Sequence, residues 1–199
     1  MRLEFITHIL QSLTQTNDRY PVNLNNKWGY INKRGKIVID PEYDFAAEFH
    51  NGLGRVMRNG LYGFVNSKGK LVIDCIYEDA NDFSEGLCAV LQDESYGYID
   101  KKGQVAIPFN YHRAGMFMNG LARVSLYCKD GFVDKKGEEV IPITFGSSLD
   151  YPWGGLFRTF GREQREFYFT RKGKQIWPNN RYFSEEEISP SKKDEELPF

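Results

Sequence analysis

Along much of the chain, apolar residues recur at alternate positions in short runs, separated by polar clusters rich in glycine, asparagine and lysine. Leu53 to Arg58 (LGRVMR), Tyr62 to Asn66 (YGFVN) and Lys70 to Ile73 (KLVI) are three such runs in succession. This alternation is the mark of half-buried strands. Asn59-Gly60 between the first two runs suits a two-residue hairpin, because both central residues of a type I′ turn need positive φ. Ser67-Lys68-Gly69 turns the chain again, so the three strands form a meander. A connector of about a dozen residues, DCIYEDANDFSE, leads on to the next such group.

The group repeats. Gly29, Gly63, Gly97 and Gly131 fall 34 residues apart, as do Gly35, Gly69, Gly103 and Gly137, and Gly52, Gly86, Gly120 and Gly154. The same register carries Tyr30, Phe64, Tyr98 and Phe132, then Tyr43, Tyr77, Tyr111 and Phe145, then Phe49, Phe83, Phe117 and Tyr151. Sliding the template back finds a degenerate first strand at Arg19 to Leu24, in which Pro21 suits an edge. Sliding it forward finds a fifth copy at Leu156 to Pro178, displaced by two residues, with Phe167 at the glycine position and Gly173 at the turn. The expected units are 19–52, 53–86, 87–120, 121–155 and 156–178. The expected fold is all-β: five three-stranded meanders in an open superhelical, solenoid-like array, the alternative being a propeller-like ring. Glycines of the second register read as αL turn residues. Those of the first read as packing glycines beneath an aromatic of an adjacent strand or copy.

The flanks differ from the array. Leu3, Ile6, Leu10 and Leu13 share one helical face, which predicts an amphipathic helix over residues 2–15 within an N-terminal cap of 1–18. Residues 179–199, polar and charge-dense, read as a disordered tail. The N-terminus lacks the pattern of a signal peptide, and no apolar run is long enough to span a membrane, so a cytoplasmic protein is expected.

Composition narrows the chemistry. With 41% hydrophobic and 15% aromatic residues the chain can build a core. Its 26 basic and 27 acidic residues are interspersed, giving a net charge of −1, which disfavours a nucleic-acid partner. Cys75, Cys88 and Cys128 lack metal-ligand spacing and read as small buried apolar side chains. His8, His50 and His112 are scattered and read as surface or satisfied histidines. No nucleophile and base are brought together by any motif, and the glycine-bearing turns sit between strands, without a helix whose N-terminus could hold a phosphate. Asp40 and Asp74 recur, but Pro108 and Pro142 replace them later. The chain is therefore expected to be non-catalytic, with no cofactor and no metal.

The unit WGYINKRGKIVIDPEYDFAAEFHNGLGRV resembles the WG-repeat family of bacterial proteins. The matching residues are Trp28-Gly29-Tyr30, Asp100-Lys101-Lys102-Gly103, Val140-Ile141-Pro142, Tyr43-Asp44 and Phe83 to Val90 (FSEGLCAV). The resemblance covers roughly residues 19–178 and implies a β-rich repeat architecture with protein or ligand binding as its usual presumption. The tryptophan survives only at Trp28; its equivalents are Tyr62, Tyr96 and Asp130. Asp130 cannot pack as an aromatic, which singles out the fourth unit.

Two surfaces escape the template. In the fifth unit Arg158, Arg162, Arg165 and Arg171 interleave with aromatics including Tyr168, a combination suited to acidic protein surfaces. In the fourth, Tyr127 and its neighbours Cys128 and Lys129, together with Trp153, fall where the pattern varies, and repeat arrays often bind through such positions. The expected function is a repeat scaffold for protein–protein interaction, such as an immunity or secretion-associated protein. A small-ligand or glycan-binding module is the alternative. Small-angle scattering checks the array: the open form is expected to give a rod-like distance distribution, and the compact profile of a disc would refute it.

Overall fold

The computed structural model describes residues 18–145, 155–160 and 166–177. The expected N-terminal helix, the tail, Tyr151, Trp153, Gly154, Arg162 and Arg165 lie outside them. Among the described residues every regular element is a strand, and the strands form five antiparallel sheets. The protein is all-β. The first sheet holds β1 (Tyr20–Leu24), β2 (Lys27–Ile31) and β3 (Ile37–Tyr43). The second holds β4 (Phe45–His50), β5 (Leu53–Arg58), β6 (Leu61–Asn66) and β7 (Leu71–Tyr77). The third holds β8 (Asp79–Ala80), β9 (Leu87–Gln92), β10 (Ser95–Asp100) and β11 (Val105–Tyr111). The fourth holds β12 (Arg113–Ala114), β13 (Leu121–Leu126), β14 (Lys129–Asp134) and β15 (Glu139–Phe145). The fifth holds β16 (Leu156–Phe160), β17 (Glu166–Thr170) and β18 (Gln175–Trp177).

The sheets are five in number, and three of them differ from the three-stranded meander expected. Three of them carry a fourth strand, β4, β8 and β12, drawn from the segment expected to be a plain connector. The sheet therefore begins at Phe45 rather than Leu53. β8 and β12 are two residues long, too short to display alternation, so no periodic signal marks them.

Turn chemistry explains why the strands bend where they do. Asn66 Oδ1 accepts from the backbone N–H groups of Lys68 and Lys70 at 2.9 and 3.1 Å, and Gly69 follows with φ of +81°. Asn32, Asp100 and Asp134 do the same in their sheets, and Thr170 Oγ1 takes over in the fifth. A short side-chain acceptor that bonds the backbone two residues on fixes the turn locally.

The packing glycines turn out to face backbone rather than lie beneath an aromatic. β7 is bulged against β6, and a Cβ on Gly63 would stand 2.6 Å from the carbonyl oxygen of Ile73. Gly97 and Gly131 face Ile107 and Ile141 in the same way, at 2.8 and 2.6 Å, although at Gly97 the ring of Phe109 lies nearly as close. The bulge pushes the main chain of the third strand onto the second, and only glycine leaves room.

The chain divides into two compact units, Met1–Asn110 with Met116–Met118, and Tyr111–Gly115 with Asn119–Phe199. In the first unit, Tyr30, Ile39, Tyr43, Phe49 and Val56 pack between the first and second sheets. Phe64, Ile73, Tyr77, Phe83 and Val90 pack between the second and third. The recurrent aromatics explain themselves here: Tyr30–Phe49, Phe64–Phe83 and Tyr98–Phe117 meet edge to face at 4.9, 4.9 and 5.0 Å between centroids. In the second unit Phe132, Phe145, Phe157, Phe167 and Phe169 form the corresponding core, with Phe132 on Phe157 at 4.6 Å.

The two glycine types differ in what a methyl group does to them. Gly63→Ala is expected to destabilise the chain by roughly 1–3 kcal/mol through overpacking against backbone. Gly60→Ala, with φ of +80° and nothing within 4 Å, is expected to lose about 1 kcal/mol to backbone strain alone. Urea unfolding of both variants checks the order; a Gly63 variant as stable as the wild type would refute the close approach.

Candidate functional site

In each four-stranded sheet one row of side chains crosses the first three strands. In the second sheet β4, β5 and β6 contribute Phe45, Met57 and Tyr62 to it. In the third, β8, β9 and β10 contribute Asp79, Leu91 and Tyr96. In the fourth, β12, β13 and β14 contribute Arg113, Ser125 and Asp130. The backbone pairing is the same in all three rows, and the chemistry changes.

The first sheet supplies Trp28, which lies 6.3 Å from the Phe45 ring, and Phe45 lies 6.4 Å from Tyr62. Arg55 on β5 rests its guanidinium over both Phe45 and Tyr62, at 5.9 and 5.5 Å, and faces Asp82 at 3.3 Å. In the third sheet the Tyr96 hydroxyl donates to Asp79 at 2.6 Å. In the fourth sheet Arg123 occupies the position of Arg55. Its Nη2 pairs with Asp130 Oδ2, while the Ser125 hydroxyl donates to Oδ1. Asp130 is buried with both oxygens engaged. A buried carboxylate needs such partners, since an unpaired charge out of water is costly.

Replacing two large side chains by serine and aspartate opens space. A cleft of about 580 Å³ lies there, lined by His112, Arg113, Ala114, Gly115, Arg123, Ser125, Cys128 and Asp130. Its charge is unbalanced: Asp130 answers Arg123, whereas the exposed Arg113 has no ion-pair or hydrogen-bond partner among the described residues. The cleft therefore presents a spare guanidinium, a group suited to carboxylates and phosphates.

Beside the cleft stands the β13–β14 hairpin. Tyr127 and Cys128 are its two central residues, with φ of +45° and +60°, where the second sheet has Asn59 and Gly60. Tyr127 is 80% exposed, the most exposed of the large hydrophobic side chains described. Its ring meets that of His112 edge to face at 4.9 Å, and its backbone N–H donates to His112 Nδ1 at 3.2 Å.

The sequence-based candidates divide accordingly. Tyr127 is exposed beside the cleft. Arg158 pairs with Glu166 and covers the Phe160 ring at 4.8 Å, so it is satisfied within its own sheet. The Tyr168 hydroxyl lies 3.5 Å from the same carboxylate, and Arg171 is exposed in the β17–β18 turn. Trp153, Arg162 and Arg165 lie outside the described residues. Sequence reading missed Arg113, Arg123 and Ser125. The signal was available in the register, since they stand 34 or 68 residues after Asp79, Ala89 or Arg55, and Leu91 or Met57.

All three cysteines bear on the expectation of buried apolar thiols. Cys88 is buried, and burial pushes its thiol up out of the reactive range; Cys75 is half-buried and shifted the same way for the same reason. Cys128 is exposed, which corrects the expectation: its place in the hairpin turn keeps it at the surface.

The chain belongs to the WG containing repeat family, whose sequence model matches residues 28–62, 62–95, 96–127 and 131–151. The third match stops at Tyr127 and the fourth begins at Gly131, so Cys128, Lys129 and Asp130 fall between them. No curated protein matches the chain. Among solved structures, Kluyveromyces lactis Hsv2 is similar at a TM-score of 0.47 and 12% identity over 81% of this chain and 60% of that one. Kluyveromyces lactis Hsv2 with a complete loop 6CD gives 0.47 and 12% over 80% and 58%. The chain thus spans about 60% of the length of these structures.

Thiol chemistry checks the placement of the hairpin. Native protein treated with a chromogenic disulfide reagent is expected to release one rapid equivalent that disappears in Cys128→Ser, with Cys88 reacting only on unfolding. Rapid labelling of Cys88, or none at Cys128, would contradict it.

Proposed function

We propose that the chain is a non-catalytic repeat module that binds another protein through its fourth sheet, with Tyr127 as an exposed anchor and Arg113 as the docking charge. The observation that carries this is the row Arg113, Ser125 and Asp130. Ser125 and Asp130 stand where the second and third sheets place Met57 or Leu91 and a tyrosine, and the row leaves one guanidinium without a partner among the described residues, beside a large exposed ring. Tyrosine and arginine dominate protein interfaces because each contributes apolar area together with directed hydrogen bonds. Arg113 selects for a carboxylate, so the partner surface is acidic. The fifth sheet, where Arg158 already pairs with Glu166, becomes a charged edge that discourages strand addition.

A second reading has its own support. At about 580 Å³ the cleft falls within the usual range of small-molecule sites, which makes an anionic small ligand the alternative occupant.

The two are separated by quantitative affinity capture on wild type, Arg113→Glu, Tyr127→Ala and Arg171→Ala. A protein partner is expected to be retained by wild type and Arg171→Ala, and reduced at least ten-fold by either fourth-sheet substitution, a loss of about 1.4 kcal/mol or more. Its retention should weaken with salt, as exposed charge pairs do. Equal capture by all four proteins would refute the interface. Thermal stabilisation of wild type but not Arg113→Glu by small anions would favour the second reading.

A further inference from the structure

The residue that precedes the first strand of each four-stranded sheet has a repeated task. The backbone N–H of Asp44 donates to Met57 O at 2.9 Å, that of Glu78 to Leu91 O at 3.0 Å and that of His112 to Ser125 O at 2.9 Å. The side chain then reaches to the hairpin turn ahead of it. Asp44 Oδ2 accepts the N–H of Asn59 at 2.7 Å, Glu78 Oε1 accepts that of Asp93 at 2.9 Å, and His112 Nδ1 accepts that of Tyr127 at 3.2 Å. Each acceptor holds the first residue of a turn whose two central positions both have positive φ.

In two sheets the acceptor is a carboxylate, which accepts at any pH near neutrality. The Lys27 ammonium and the Asn59 amide hold the Asp44 carboxyl below its ordinary value, so that clamp persists into acid. In the fourth sheet the acceptor is an imidazole, and Nδ1 can accept only while it carries no proton. The turn it holds is also the one least suited to close unaided, since Tyr127 and Cys128 occupy left-handed conformations that asparagine and glycine adopt far more readily.

We propose that His112 is an acid-sensitive clamp on the binding hairpin: neutral, it fixes the Tyr127-Cys128 turn through Nδ1 and ring contact, and protonated, it releases the turn. Protonation places an N–H donor opposite the Tyr127 N–H, so an attraction becomes a repulsion. The titratable and charged groups that share the cleft or the turn with the ring are Arg113 beside it in sequence, Arg123 from β13, Tyr127 and Cys128 from the turn, and Asp130 from β14. Asp130 is already paired with Arg123 and Ser125, so no lining carboxylate is left to hold the imidazolium in place. The contact needs the neutral ring, so it is complete while Nδ1 carries no proton and lost when the ring takes one up, whereas the carboxylate clamps go on accepting. The effect on partner binding rests on the assignment of the fourth sheet as the interface; the release of the turn does not.

Amide exchange by NMR on the full chain, corrected for the intrinsic pH dependence of exchange, tests both. Between about pH 7.5 and pH 5.5 the protection of the Tyr127 amide is expected to fall roughly two- to ten-fold, the span of a single hydrogen bond, while Asn59 and Asp93 stay constant. His112→Asp, which installs the acceptor of the second sheet, is expected to keep Tyr127 protected at both pH values. His112→Ala should lower it at both. Unchanged Tyr127 protection in the wild type, or a wild-type response in His112→Asp, overturns the clamp and leaves the binding reading intact. Acid release of the turn with undiminished partner affinity overturns the regulatory role and removes Tyr127 from the interface.

Discussion

Contact between an aromatic ring on the second strand of one sheet and the phenylalanine ahead of the next sheet's hairpin holds the first compact unit together. A single three- or four-stranded sheet cannot bury its own apolar face. Tyr30 and Phe64 each extend from one sheet into the next, where Phe49 and Phe83 receive them edge to face, and Tyr98 meets Phe117 in the same way within the first unit. Everything else in the repeat serves that meeting. The bulged third strand presses its main chain onto a glycine of the second. The Asx turn fixes where the third strand begins, and Asn51 Nδ2 donates to Phe83 O at 2.6 Å, stitching the hairpin of one sheet to its neighbour.

Because the backbone ladder is indifferent to side chains, the row across each sheet is free to change its chemistry without moving a strand. Phe45, Met57 and Tyr62 fill the row with rings and a thioether; Asp79, Leu91 and Tyr96 mix a hydrogen bond into it; Arg113, Ser125 and Asp130 make it polar. The same guanidinium position is used twice. Arg55 rests on aromatic faces, whereas Arg123 neutralises a buried carboxylate. The cleft is a consequence of subtraction: side chains that elsewhere fill the row are short here.

The scaffold was legible in the sequence where residue identity and position coincide. Three glycine registers, the Asn/Asp-x-x-Gly turns and the paired aromatics each require a particular residue type, so the period, the number of sheets and the displaced fifth copy could all be read. Two of the added strands, β8 and β12, were not legible, because a two-residue pairing such as Asp79–Ala80 carries no periodicity and draws its stability from the neighbouring strand. The candidate site was half legible. Asp130 and Tyr127 stood out as breaks in the pattern. Arg113 and Ser125 did not, since polar residues on strands look like ordinary outward-facing positions until their cross-strand partners are known. The Tyr127-Cys128 turn was hidden for a related reason: neither residue signals a hairpin, and only its distance from Asn59-Gly60 betrays it.

The short first strands also set the phase of the architecture. A repeat counted from its visible hairpin starts at Leu53, but the sheet it belongs to starts at Phe45, with β4 already paired to β5. The covalent repeat and the structural repeat share a period and are offset in phase. Duplicating any whole period preserves every ladder, because what is lost at one seam is supplied at the other. A cut at the apparent boundary does not: it parts a strand from its own sheet and bares an edge of unpaired amides and carbonyls. Arrays of this design can therefore lengthen by whole periods with little disturbance, and the links between sheets, at Asp44, Glu78 and His112, are where a cut parts no strand from its own ladder.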